Sequence, residues 1–263
     1  ELRVARSVAA AQCTAGRRDC RGAFLALWGV CKAYMDDFGV SLQASIVLAE
    51  LGAAGTCEWS MAHKAFTELH KRFPAGNAHS YRSAALVLTQ MNNMSGAMDL
   101  FKKSLSIQED DYTHSQAAVT CRFLGRYEEA LHHAERALAL RPAQKEYHLD
   151  IGLALSKLGR YTEAIKHLKK ARKAMPDDWA VLQELGMCNM GLGEYATAVG
   201  LFEKAVQKGA SDYRLMLLAA SAYSKLMRHN DTRTAYDKAA AMCDSAHAHL
   251  SEADRELACV LAH

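Results

Sequence analysis

Small and bulky apolar positions recur along this chain at an interval of 34 residues. The stretch LGRYEEALHHAERALALRP, residues 124–142, is followed by LGRYTEAIKHLKKARKAMP, residues 158–176. Downstream, LGEYATAVGLFEKA carries Gly193, Tyr195 and Ala198, and LMRHNDTRTAYDKA puts Thr232 in the place of Ala130, Ala164 and Ala198. A bulky residue follows four positions later (Leu168, Phe202, Tyr236) and a small one three after that (Ala171, Ala205, Ala239). Upstream, the same places fall to Gly96 and Leu100 in one unit and to Ala62 and Phe66 in the unit before. Steps of three and four residues put these side chains on one face of a helix.

The first half of each unit recurs as well. Ala84, Ala118, Gly152, Gly186 and Ala220 are small residues in the middle of apolar helical patterns, where a neighbouring helix can approach closely. The LGRY and LGEY segments supply the glycine that ends one helix before the next begins. Each unit is therefore expected to be a helix hairpin that cannot bury its apolar faces alone, and stacking covers them.

The expected organisation is a single array over 1–263 of about seven hairpins. Residues 1–42 read as a divergent N-terminal hairpin, with Phe24, Leu27, Cys31 and Tyr34 as its stripe. Degenerate repeats fill 43–110, with an extra residue expected in the turn LGAAGTCEWS, and clear repeats fill 111–244. Residues 245–263 read as a capping helix opened by Ser251 and Asp254.

Composition agrees with an all-α chain. Proline, which removes an amide donor and collides with the preceding turn, occurs only at Pro74, Pro142 and Pro176, spaced by 68 and 34. The formal charge of +3, from 32 basic and 29 acidic residues, supplies no global field for nucleic acid. No apolar run reaches the roughly 20 residues of a membrane span. Eight cysteines lie apart without a C-x-x-C pair, which reads as buried thiols in the cytoplasm or another reducing compartment. The chain opens on Glu1 rather than Met, which leaves open a longer reading frame, including a repeat domain of a longer enzyme.

The pattern L-x-x-L-G-x-x-N…A-x-x-x-F…A, carried by Leu182, Leu185, Gly186, Asn189, Ala198, Phe202 and Ala205, resembles the tetratricopeptide repeat. Ile151, Gly152, Leu155, Tyr161, Ala164, Leu168, Ala171 and Pro176 match it again. The resemblance implies a right-handed α-solenoid whose concave groove, lined by the first helix of each hairpin, takes protein partners. Carried over onto this sequence, the groove shows Tyr81 with Ala85 and Leu88, then Tyr112, Ser115, Val119 and Arg122. Leu149, Leu153 and Lys157 follow, then Gln183, Met187 and Met190, and finally Arg214, Leu217, Ser221 and Lys225. The Lys and Asn that family members use to clamp a C-terminal carboxylate are replaced by pairs such as Leu149 with Leu153. The asparagine ladder of backbone-binding members is also missing. So apolar a groove suits an amphipathic helix or an extended apolar segment.

Candidate chemistry adds little. No phosphate loop, nucleophile elbow or H-E-x-x-H motif occurs. His132 and His133 diverge on a helix, as do His247 and His249, and Glu128 and Glu129 are adjacent on a solvated face. Met91, Met94 and Met98 read as packing residues, and so do Trp28, Trp59 and Trp179. Lys166, Lys169, Lys170 and Lys173, with Arg172, form a basic strip on a second helix; it reads as a solvated outer face or, alternatively, as an RNA or acidic-partner patch. The sequence thus points to a non-enzymatic interaction scaffold or adaptor without cofactor or metal, a subunit of a larger assembly such as a ciliary transport coat or co-chaperone. Its partners are expected to be proteins, with no small-molecule substrate.

Overall fold

The computed structural model describes residues 29, 37–53, 59–209 and 213–246. The stripe expected over 24–34, and the capping helix beyond 246, lie outside the described residues apart from Gly29. So does the turn at 54–58, where an extra residue was expected.

All regular structure among the described residues is helical. The helices are α1 (Phe38–Ala53), α2 (Trp59–Arg72), α3 (Ala78–Gln90), α4 (Met94–Ile107), α5 (Asp111–Phe123), α6 (Tyr127–Leu140), α7 (Tyr147–Lys157), α8 (Tyr161–Ala174), α9 (Trp179–Gly191), α10 (Tyr195–Gln207), α11 (Tyr213–Lys225) and α12 (His229–Ala246). The second helices α6, α8, α10 and α12 begin at 34-residue steps, as the sequence pattern predicts. Helix α1 begins at Phe38, inside the stretch read as the N-terminal hairpin.

Among the described residues one turn is built five times. The backbone N–H of Asn93, Arg126, Arg160, Glu194 and Arg228 donates to the carbonyl five residues back, on Leu88, Cys121, Leu155, Asn189 and Tyr223, at 2.8–3.1 Å. The residue before each donor is left-handed: Asn92, Gly125, Gly159, Gly193 and Met227. This arrangement closes the helix end by satisfying its last carbonyls, and glycine adopts it without strain. Helix starts are capped locally. The Asn77 side chain accepts from the Ser80 amide at 2.7 Å, Asp110 accepts from Thr113 at 3.1 Å, and Asp178 accepts from Ala180 at 2.9 Å.

The chain divides into two compact units, one ending at Arg126 and one starting at Tyr127. In the first, Val47, Leu48, Ala62, Phe66 and Leu69 build a core on which Phe38, Trp59 and Phe73 pack. The Ser104 hydroxyl donates to the Ala78 carbonyl at 2.7 Å and fastens α4 to the start of α3. In the second unit, helices are drawn together where side chains are missing. A Cβ on Gly152 would stand 2.6 Å from Leu168, and one on Gly191 would stand 2.4 Å from the Tyr161 ring. These contacts join α7 to α8 and α8 to α9. Ala220, Ala222, Tyr223 and Val199 continue the core, with Met190 and Tyr195 packed against it.

The repeat register differs from the sequence reading in one unit. Ala97, Met98, Phe101 and Ser104 are the buried residues of α4, whereas Gly96 and Leu100 are only half-buried. Buried Ala62 and Phe66 thus lead to Ala97 and Phe101 at 35 residues, and Ala97 leads to Ala130 at 33. The physical cause is loop length. Residues 73–77 join α2 to α3, while only 108–110 join α4 to α5; α8 and α9 are joined by 175–178. A longer and a shorter loop cancel, so Pro74 and Pro142 still stand two repeats apart.

Candidate partner-binding grooves

The faces of the first helices decide what the chain can hold. In the first unit, α1, α3 and α5, with Trp59 at the start of α2, line a groove of about 360 Å³. Ile46, Trp59, Leu86 and Tyr112 give it an apolar surface, and Glu50, Gln90 and Gln116 stand among the polar groups around it. Tyr112 is 45% exposed, so its ring faces the groove with much of its area uncovered. At one end, Arg82 donates to Asp110 at 3.1 Å and lies over the Tyr112 ring at 5.6 Å. Burial works against the Asp110 charge, but hydrogen bonds from Thr113 and the Arg82 guanidinium outweigh it and hold that carboxyl below the usual range. The pair fixes Tyr112 beside the groove.

The shifted register changes which residues of α3 face outward. Tyr81, expected in the groove, is only 5% exposed. Its ring stacks on His70 with centroids 4.2 Å apart, and its hydroxyl donates to the Pro74 carbonyl at 2.6 Å. Ala85 and Leu88 are buried with it. Arg82 and Leu86 take the outward places instead. Ser115 is buried too. Val119 and Arg122 are half-buried, and the Arg122 guanidinium lies over Phe123 at 5.6 Å.

In the second unit the expected residues lie at the surface of α7, α9 and α11. Leu149, Leu153, Gln183, Met187, Leu217 and Ser221 are half-buried, and Lys157, Arg214 and Lys225 are exposed. Met190 is half-buried and belongs to the core cluster as much as to this face. A second cavity, of about 300 Å³, lies among α10, α11 and α12. There the Tyr223 hydroxyl donates to Glu203 at 2.6 Å, and burial together with that bond pushes Tyr223 up to about 12. The basic strip is where the sequence puts it, with Lys166, Lys169, Lys170, Arg172 and Lys173 all exposed on α8.

One pairing went unread in the sequence. His148 on α7 and His167 on α8 place their Nδ1 atoms 3.1 Å apart. Burial holds both rings below the ordinary histidine range, the His167 ring and Lys170 adding to the effect on His148 and Lys170 to that on His167. Contact between helices of one hairpin brings them together, and helix periodicity alone does not reveal it. Among the described residues, no three His, Cys, Asp or Glu side chains gather as a metal site, and no helix is long and apolar enough to cross a membrane.

A profile of the tetratricopeptide repeat matches residues 122–178 and 149–213. Residues 122–213 are tetratricopeptide repeats. Among solved structures it is similar to a tetratricopeptide repeat protein from Parabacteroides merdae, at 13% identity over all of both chains with a TM-score of 0.72. It is also similar to YrrB, a tetratricopeptide repeat protein with an unusual peptide-binding site, at 17% identity over 75% of this chain and 97% of that one, TM-score 0.62. PilW, a widely conserved type IV pilus biogenesis factor, matches at 20% identity over 75% of this chain and 91% of that one, TM-score 0.67. At these identities the likeness is one of fold. No curated protein sequence matches the chain. Tetratricopeptide repeats are, in general, non-enzymatic protein-interaction scaffolds.

Proposed function

We propose that this chain is a non-enzymatic scaffold that holds an amphipathic helical segment of a partner protein against the first helices of its repeats, as a subunit of a larger assembly. The observation that carries the reading is the groove of α1, α3 and α5, where Ile46, Trp59, Leu86 and Tyr112 form an uncovered apolar surface beside Glu50, Gln90 and Gln116. Apolar side chains spaced along one face of a helix fit such a surface, and polar groups at its edge fix their direction. YrrB, with its peptide-binding site, supports the choice of a peptide ligand. The half-buried Leu149, Leu153 and Met187 give the second unit a face of the same character. The buried thiols Cys121 and Cys188 agree with a reducing compartment as the setting we propose.

The exposed lysines of α8 are the competing surface, and no Phe, Tyr or Trp stands among them to stack a base. Leu86→Glu puts an unpaired charge in the apolar groove and is expected to weaken peptide binding by roughly tenfold or more. Lys170→Glu is expected to leave it unchanged. Equal binding by wild type and Leu86→Glu contradicts the proposal.

A further inference from the structure

Two histidines outside the groove face each other between α7 and α8. The Nδ1 atoms of His148 and His167 are 3.1 Å apart, and the ring centroids are 5.0 Å apart with the planes at 70°. Two imidazole nitrogens that bind one ion at about 2.1 Å each stand roughly 3.1 Å apart near the right angle of a tetragonal Cu²⁺ site, and roughly 3.4 Å apart at the tetrahedral angle of Zn²⁺. In the right-angled case their ring centroids lie about 4.8 Å apart. A straight N–H···N hydrogen bond of the same length would hold the centroids roughly 5.4 Å apart. The observed pair is nearer the bent arrangement.

We propose that His148 and His167 are a chelating pair for a divalent transition-metal ion, Cu²⁺ in preference to Zn²⁺, with water completing its coordination. Imidazole is a preferred ligand for both ions. Both rings are half-buried, so their orientation is constrained while solvent still reaches them. Lys145 and Lys170 act on the pair from one sign, Glu135 and Glu163 from the other, and the local charge is close to balanced. Glu163 also stands four residues before His167, on the same side of α8, where its carboxylate pairs with Arg160. An ion held by both rings pins α7 to α8, which ties the stability of this hairpin to metal supply.

The test uses the full chain without an affinity tag, titrated with Cu²⁺ and Zn²⁺ alone. Substoichiometric copper is expected to show superhyperfine coupling to two nitrogens in its electron paramagnetic resonance spectrum. His148→Asn and His167→Asn are each expected to weaken the tightest binding by roughly tenfold or more, while His132→Asn leaves it unchanged. Tight binding that survives both substitutions overturns the proposal, and so does a copper spectrum with one coupled nitrogen or none. The spectrum is read on the wild-type chain, so fewer than two coupled nitrogens overturns the proposal even where a variant fails to fold.

Discussion

The ring of Phe202 fills the space that a side chain on Gly186 would need. A Cβ at Gly186 would lie 2.4 Å from Cε1 of Phe202 and 2.8 Å from Cδ1. Phe202 is fully buried and has nowhere to turn. Within a helix, Gly→Ala ordinarily gains about 1 kcal/mol of propensity. Here Gly186→Ala is expected to destabilise by roughly 1–3 kcal/mol, because overpacking exceeds that gain. Urea unfolding of the variant tests this, and a midpoint above that of wild type would contradict it.

The repeated turn allows a comparison of opposite sign. Gly193 and Met227 occupy the same place one repeat apart, with φ of 80° and 56°. Met227 is 76% exposed, so its side chain contributes little packing. Met227→Gly removes left-handed strain and is expected to stabilise the chain by roughly 0.5–1 kcal/mol, while Gly193→Ala is expected to cost about 1 kcal/mol. Thermal melts of the two variants should move in opposite directions.

Tyr81 and Leu86 separate packing from binding. Tyr81→Phe removes the hydroxyl donated to Pro74 and leaves the ring in place. The expected loss is about 1 kcal/mol of stability with no change in peptide affinity. Leu86→Glu should do the reverse. Paired melts and affinity measurements distinguish the two roles, and an affinity loss confined to Tyr81→Phe would restore the register read from sequence.

His70 gives the first unit a pH dependence. Burial, with Lys103 adding to it, lowers this histidine from 6.5 to about 4. Between those values the unfolded chain binds a proton that the folded chain does not, so stability falls as pH drops below 6.5 toward about 4. His70→Gln removes this contribution. Urea midpoints near neutrality and near pH 5 should differ less for the variant than for wild type, and equal differences would contradict the assignment.

Much of the fold was legible because close helix approach restricts residue choice. Gly152 against Leu168 and Gly186 against Phe202 tolerate nothing larger, so the 34-residue interval stays visible there. The turn itself is less demanding, since Asn92 and Met227 adopt the left-handed conformation that glycine holds elsewhere. That is why the motif fades toward both ends while the geometry continues. On α3 the outward residues stand one position later than the sequence pattern puts them. The loops 73–77 and 108–110 differ in length and compensate, which kept the prolines in step and hid the shift. A one-residue shift on a helix turns each side chain by about 100°, enough to exchange buried Tyr81 for outward Arg82. The His148–His167 pairing depends on contact between two helices, and no pattern along either helix carries it.

The most direct test of the scaffold reading is an unbiased peptide-display selection on the intact chain, followed by affinities for Leu86→Glu and for Lys169→Glu/Lys170→Glu. The account predicts selected peptides with apolar anchors at helical spacing, whose binding Leu86→Glu abolishes and the lysine variant leaves intact. Acidic peptides that depend on Lys169 and Lys170 and are indifferent to Leu86 would contradict it.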